Sequence, residues 1–262
     1  MIVSFNKMKP TQRQHEIISL LRAMQTELRV DQLARLLRVS PLTVRRDLMK
    51  LSKTGTILRT HGGCIAAGRA ALETEYHKKV AQGFELKQAI GRAAAEEVNP
   101  GEVLLVNDGS TTFHIAAWLE SRGPLTVYTN SLAMITDLAR SPAITLYILG
   151  GRYNSELYSL QGSLTEKLLE SLHIDACFIG ADAVTGEGQC MVTTPEEAAL
   201  TRAILRRGTR RILLADHTKV GGQGHFAYGT LSDFTLWVTT PGIEPGKLNF
   251  YRTLVDIKEA AT

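Results

Sequence analysis

No stretch of this 262-residue sequence approaches the roughly 18 to 20 consecutive apolar residues that cross a bilayer as a helix. The opening MIVSFNKMKPTQRQHE also lacks the apolar run and small-residue cleavage site of a secretory signal, so a cytoplasmic location with no membrane partner is expected. Cysteine is scarce. Cys64, Cys177 and Cys190 stand far apart, with no CxxC and no His pair at ligand spacing, which argues against a disulfide framework or a zinc site and predicts three reduced thiols. Neither a metal nor a cofactor is expected. Aromatic residues are only 6% of the chain, but hydrophobics at 44% and charged residues at 21% are ordinary for a globular protein of one large or two unequal domains.

The net charge of +4 hides an uneven distribution. Residues 1–70 carry 13 Lys and Arg against 4 Asp and Glu, whereas the remainder carries 17 against 22, so one end stands at +9 and the rest at −5. A cationic end points to a polyanion, because each Lys or Arg that neutralises a phosphate releases condensed counterions; a solvated charged surface would have the same composition.

Periodicity resolves part of that choice. Ile17, Ile18, Leu20, Leu21 and Met24 share one face of a helix from about Pro10 to Met24, and Asp31–Leu37 reads as a short second helix burying Leu33, Ala34 and Leu37. Ser40-Pro41 is a helix start, a capping hydroxyl followed by a proline whose missing N–H is not needed in the first turn. In the helix it opens, Val44, Leu48 and Leu51 face a core and leave Thr43, Arg45, Arg46 and Lys50 on the other faces. Two short helices with a tight turn, the second basic, match a helix-turn-helix whose second helix enters the major groove. Gly55 ends that helix, and Thr56–Ile65 reads as two strands around Gly62-Gly63, a wing.

The run LARLLRVSPLTVRRDLMKLSKTGTILRTHGG resembles the N-terminal signature of the DeoR family of bacterial regulators over residues 11–65, with its V-S-x-x-T-[IV]-R-R-D-L core and R-x-H-G-G wing. The resemblance implies that Ser40, Pro41, Thr43, Arg45, Arg46 and Lys50 lie at the groove of an operator, with Arg59 and His61 near the backbone or minor groove. Two readings of Arg46 stay open: a DNA contact, or an ion pair with Asp47 or Asp31. His61 likewise is either a DNA contact or a hydrogen-bonder within the wing, and Asp47 is expected to be structural, since an acid beside phosphate is costly.

The chain is expected to divide into a winged helix-turn-helix at 8–65, a linker at 66–85 and an α/β domain at 86–255. Helix candidates Lys87–Val98, Thr112–Leu119, Ser131–Ala139, Leu164–Ser171 and Glu196–Arg207 are interleaved with six short apolar strand candidates. These are Val103–Asn107, Leu125–Thr129, Thr145–Leu149, Ala176–Ile179, Arg211–Ala215 and Leu236–Thr239, an alternation that predicts a largely parallel sheet. Ligands bind such sheets outside the carboxyl ends of the strands. Those ends are polar here: Asp108, Gly109, Ser110, Thr111 and Thr112 after the first strand; Thr129 and Asn130; Gly150 and Gly151; Asp182; and Lys219. Small hydroxyl residues at a helix start suit phosphate, Asn and Asp suit sugar hydroxyls, and Lys219 suits an anion, although a plain capping turn has the same composition. Trp118, Trp237 and Phe250 serve either an interface or the core, the core being the expected place.

The same positions, with Glu197-Ala198, resemble the DeoR sensor domain over residues 75–255, a domain similar to ribose-5-phosphate isomerase type A. Ile179-Gly180-Ala181-Asp182 stands where that isomerase has D-G-A-D, and Glu197–Arg202 resembles its G-A-A-L-T-R. Two departures argue against turnover. Ile179 replaces the first Asp, and Val192-Thr193-Thr194-Pro195 lacks the K-G-G-G segment that would supply a catalytic lysine. Where many family members carry E-A-x-x-x-K, Thr201 occupies the lysine position, which bears on which effector is taken. The resemblance implies a homo-oligomeric, non-enzymatic repressor of carbohydrate catabolism or transport genes, with operator DNA and a phosphorylated sugar or polyol as partners. The alternatives are a sugar-phosphate isomerase with an appended DNA-binding module and an activator or architectural DNA binder.

Overall fold

The computed structural model describes residues 10–24, 28–53, 57–59, 63–66, 76, 79–80 and 82–261. The chain divides into two compact units, Met1–Glu75 and Tyr76–Thr262, so the division falls inside the stretch read as a linker. No helix among the described residues is long and apolar enough to cross a membrane.

In the first unit, α1 (Pro10–Met24) is followed by β1 (Leu28–Arg29), α2 (Val30–Leu36), α3 (Pro41–Lys53), β2 (Ile57–Arg59) and β3 (Gly63–Ala66). The three helices pool Ile17, Leu21, Leu33, Val44 and Leu48, and the antiparallel sheet, ordered β1-β3-β2, closes this core with Leu28, Ile57 and Cys64. Gly63 is dictated by packing: a Cβ there would lie 2.2 Å from the Leu28 carbonyl oxygen. The turn between α2 and α3 passes through Arg38 at φ 52°, a left-handed conformation that a residue with a Cβ adopts at some cost. The strand β1 is an element that periodicity did not indicate.

The second unit begins its regular structure with α4 (Phe84–Ala95), three residues earlier than the sequence pattern places it. It then alternates β4 (Val103–Val106), α5 (Ala116–Leu119), β5 (Leu125–Thr129), α6 (Ala133–Leu138) and β6 (Ile144–Ile148). A hairpin, β7 (Arg152–Asn154) and β8 (Ser159–Gln161), leads to α7 (Ser163–Glu170), β9 (Ile174–Gly180), β10 (Ala183–Val184) and β11 (Gln189–Val192). The chain closes with α8 (Pro195–Leu205), β12 (Gly208–Leu214), β13 (Phe226–Thr230), β14 (Leu236–Thr239), α9 (Pro245–Arg252) and β15 (Ile257–Glu259).

Seven strands form one sheet in the order β15-β14-β12-β9-β4-β5-β6, every neighbouring pair parallel. Along β9, Cys177 and Ile179 enter one core with Leu105, Leu213 and Trp237, while Ala176 and Phe178 enter another with Leu104, Val106 and Leu214. That period-2 split between two cores is what a sheet covered by helices on both faces requires. An antiparallel sheet, β10-β11-β13, stands apart from it. All three cysteines are buried free thiols, and burial pushes those of Cys177 and Cys190 up to about 12.

Three expectations need correction. The segment 112–119 is not one α-helix but a 3-10 turn, Thr112–Ile115, running into α5. Trp237 is fully buried, but Trp118 is 36% and Phe250 44% exposed, because Ala116 and Leu119 take the inward face of α5 and Tyr251 that of α9.

Candidate functional site

The start of α3 is fixed by Ser40. Its hydroxyl accepts the Thr43 N–H at 3.2 Å and shares a hydrogen bond with the Thr43 hydroxyl at 2.9 Å, so the cap that begins the helix also positions Thr43. Val44, Leu48 and Leu51 are buried, and Ser40, Pro41, Arg45, Arg46 and Lys50 are exposed on the rest of the helix with Thr43 half-buried. Asp47 is the exception. It is buried, and α1 supplies both of its partners: Arg13 Nε donates to Oδ2 at 2.5 Å and Gln14 Nε2 to Oδ1 at 3.1 Å. The ion-pair reading of Arg46 is thereby excluded for Asp47, and Arg46 makes none of the described ion pairs. Arg59 lies in β2, its backbone opposite Cys64, and His61 lies outside the described residues.

In the second unit, strand order selects one place. β4 leads on to β5 and β6 on one side, whereas β9, β12, β14 and β15 extend from its other side, so the direction of winding reverses between β4 and β9. Loops diverge there and leave a crevice at the carboxyl ends. Asn107 ties the two strand ends together, its Oδ1 accepting from the Gly180 N–H at 3.2 Å and the Gly109 N–H at 3.4 Å. Beyond it opens a cleft of ≈ 610 Å³, solvent-facing mouth included. Asp108, Gly109, Ser110 and Thr111 line it together with Asp182 and Lys219 from other strand ends and Glu197 from the first turn of α8.

The other expected residues do not line this cleft. The Thr112 hydroxyl turns inward to donate to the Asn107 and Gly109 carbonyls at 2.9 and 2.8 Å. Thr129 donates to the Val106 carbonyl at 2.6 Å and accepts the Ser131 N–H at 3.0 Å, and Asn130 donates to the Leu160 carbonyl at 3.3 Å. The Gly150 carbonyl receives the Thr165 hydroxyl at 2.7 Å, and a Cβ on Gly151 would meet that oxygen at 2.2 Å. These five hold strand ends and the hairpin together. Conversely, the cleft includes residues that sequence reasoning missed: Tyr76 and Lys79 from the stretch without periodicity, Leu157 and Val192, and Thr201, flagged only as a departure.

Beside the cleft sits a further lysine. Lys87, on α4 and only 5% exposed, directs Nζ to Ser110 Oγ at 3.1 Å and to the Lys79 carbonyl oxygen. Burial, with the charges of Lys219 and Lys79 beside it, brings its ammonium down to about 8 against the opposing pull of Asp216. Glu197 shows the opposite shift. Burial, then the carboxylates of Asp108 and Asp182, push it up to about 7 even though its Oε2 accepts the Thr194 N–H at 3.0 Å in a capping box. Burial also raises Asp108, opposed by hydrogen bonds from Ser159, Asn130 and Gln161. The N–H groups of Ser110 and Thr111 have no acceptor among the described residues. The cleft therefore gathers cationic and N–H donor groups, suited to a phosphate, and carboxylates suited to hydroxyls. Ile179 is fully buried in the core and presents nothing to it, and Thr194 serves as a helix cap.

Residues 83–240 match the family model for the DeoR C terminal sensor domain, and residues 13–69 match that for the DeoR-like helix-turn-helix domain. The chain is 31% identical to the HTH-type transcriptional regulator GolR of Listeria innocua over 88% of this chain and 91% of that protein. It is 32% identical to the HTH-type transcriptional repressor GlcR of Bacillus subtilis over 80% of each chain. Among solved structures, ribose 5-phosphate isomerase A of Methanocaldococcus jannaschii aligns with 52% of this chain and 54% of that one at 17% identity and a TM-score of 0.39.

Proposed function

The chain belongs to the DeoR family of transcriptional regulators, and from that membership we propose that it is a cytoplasmic repressor of carbohydrate catabolism or transport genes, relieved by a phosphorylated sugar or polyol. The cleft at the reversal between β4 and β9 supports this reading most directly, because it brings unpaired N–H groups, lysines and carboxylates together in one cleft. A phosphate takes the N–H groups of Ser110 and Thr111 and the charge of Lys219, and sugar hydroxyls meet Asp108, Asp182 and Glu197. In the first unit, Arg45, Arg46 and Lys50 meet the duplex from α3, some to phosphates that set register and some to base edges that specify sequence. Operator binding by a homo-oligomer would let two such helices read two half-sites.

Effector can weaken DNA binding only by unequal affinity for two conformations of the regulator. Binding without turnover is part of the proposal: the isomerisation needs a base and a group that stabilises the enediolate, and neither Ile179 nor the Val192–Pro195 stretch offers one. Thermal unfolding with matched sugars and sugar phosphates tests the effector. A stabilisation that saturates with a sugar phosphate but not with its unphosphorylated parent is expected, and it should weaken in Lys219→Met. Equal response to both members of every pair would refute the phosphate assignment, and ketose formed from ribose 5-phosphate would favour the isomerase instead.

A further inference from the structure

Building on the reading of the cleft as an effector site, we propose that Lys87 is a latch between the ligand and the chain that leads to the DNA-binding unit. Its ammonium holds the Lys79 carbonyl, and an anion bound at Ser110 and Thr111 competes for that ammonium and releases Lys79.

Three observations converge. First, the chain emerging from the DNA-binding unit is itself a wall of the cleft: Tyr76, the first residue after the division between units, lines it together with Lys79. A ligand there touches the first residues of the second unit directly. Second, Lys87 is a buried cation whose only described hydrogen-bond partners are neutral oxygens, the Lys79 carbonyl and Ser110 Oγ. An ammonium has three donors and pays a desolvation cost that neutral acceptors offset poorly, so a dianionic phosphate is a much stronger partner. Ser110 places that partner, since its hydroxyl is 3.1 Å from Nζ and its N–H has no acceptor among the described residues. Third, a second clip lies one residue on and outside the cleft. The Val80 carbonyl accepts from His114 Nε2 at 3.2 Å; a carbonyl can only accept, so that nitrogen carries the proton, and burial lowers the His114 pKa and favours the neutral ring. His114 pins Val80 whether or not the cleft holds an anion, so release of Lys79 is confined to the chain before Val80, on the side of the DNA-binding unit.

Amide hydrogen exchange of the full-length protein, with inorganic phosphate as the probe, tests the latch. In wild type, saturating phosphate should accelerate exchange in the peptide carrying Lys79 and Val80 by about three- to tenfold, because a stretch whose Lys79 carbonyl is no longer held opens more often. Lys87→Met should exchange at that faster rate from the outset and ignore phosphate, whereas Lys219→Met should need more phosphate for the same final change. Lys87→Arg keeps the buried charge, and its fork of donors can hold the carbonyl and the anion together, so phosphate should bind and stabilise it without accelerating exchange. Wild-type acceleration in either Lys87 variant, or none in wild type when phosphate is bound, overturns the latch. Failure of the effector reading is separate: it would appear as wild-type DNA affinity indifferent to sugar phosphates, whatever the exchange rates.

Discussion

Asp47 in the first unit is 3% exposed and Lys87 in the second 5%, yet these two buried charges are treated in opposite ways. Asp47 receives an arginine and a glutamine from α1, and its carboxylate is fully occupied in holding α3 against α1. Lys87 receives a hydroxyl and a carbonyl, and its charge is unmatched by any ion pair among the described residues. A buried charge hydrogen-bonded to a buried counter-charge fixes architecture; one whose hydrogen bonds go to neutral acceptors, with lysines outweighing Asp216 around it, is poised for a ligand. The same contrast extends outward. Arg45, Arg46 and Lys50 form a solvated face of one sign, suited to a polyanion met from bulk water, while the cleft confines both signs where desolvation shifts Lys87 to about 8 and Glu197 to about 7.

The largest effect that can break this comparison is expected at Asp47. Asp47→Ala removes one side of the buried Arg13–Asp47 pair and the acceptor of Gln14, and should cost about 3–5 kcal/mol in denaturant unfolding of the first unit. A loss below about 1 kcal/mol, the range of a surface pair, would place Asp47 with the solvated charges instead. Next in size, Arg45→Ala and Arg46→Ala should each weaken operator binding by about 1–3 kcal/mol while leaving the melting temperature unchanged. Whichever of the two meets a phosphate should also lower the salt dependence of binding by a slope of about one.

Gly91→Ala sharpens the account of the cleft's frame. A Cβ at that helix position would sit 2.4 Å from the His114 carbonyl oxygen, so α4 and the 3-10 turn would be forced apart at about 1–3 kcal/mol. Chemical unfolding measures that cost, and unchanged stability would mean that the turn is not held by α4. The smallest effect concerns Glu197. Its raised carboxyl keeps a proton in the folded chain between 4.5 and about 7 that the unfolded chain releases, so stability should fall as pH rises through that window. Glu197→Gln retains an oxygen for the Thr194 cap and should flatten this slope, as melting curves at successive pH values would record.

How much was legible in the sequence follows from how each region is built. The recognition helix draws its cap, core face and basic residues from Ser40 to Leu51, so helical periodicity alone places them. Six of the seven parallel strands were legible as short apolar runs; β15, Ile257–Glu259, is not one and lies past the expected end of the domain at 255. The cleft was legible only in part. Asp108, Asp182 and Lys219 follow from the rule that ligands gather at strand ends, and Glu197 from the family resemblance, but the rule also selects Thr129, Asn130, Gly150 and Gly151. Only strand order separates the two sets, and order is a long-range property that local pattern does not encode: β5 and β6 lie on the side of β4 away from β9. Lys87 was missed because on an amphipathic helix a lysine ordinarily reads as a solvated face, and Tyr76 and Lys79 because nothing periodic marks the chain there. Trp118 and Phe250 misled in the other direction, since apolar size alone does not say which side of a short helix faces inward.

The measurement that bears most directly on the central claim is the affinity of the full-length protein for DNA carrying the promoter beside its own gene, followed by fluorescence anisotropy while a panel of sugar and polyol phosphates is titrated. At least one of them should weaken binding by about fivefold or more, a coupling of about 1 kcal/mol, and Lys219→Met should require a higher concentration of the same compound. DNA affinity that holds steady across the whole panel, in a protein that still binds the promoter, would contradict it.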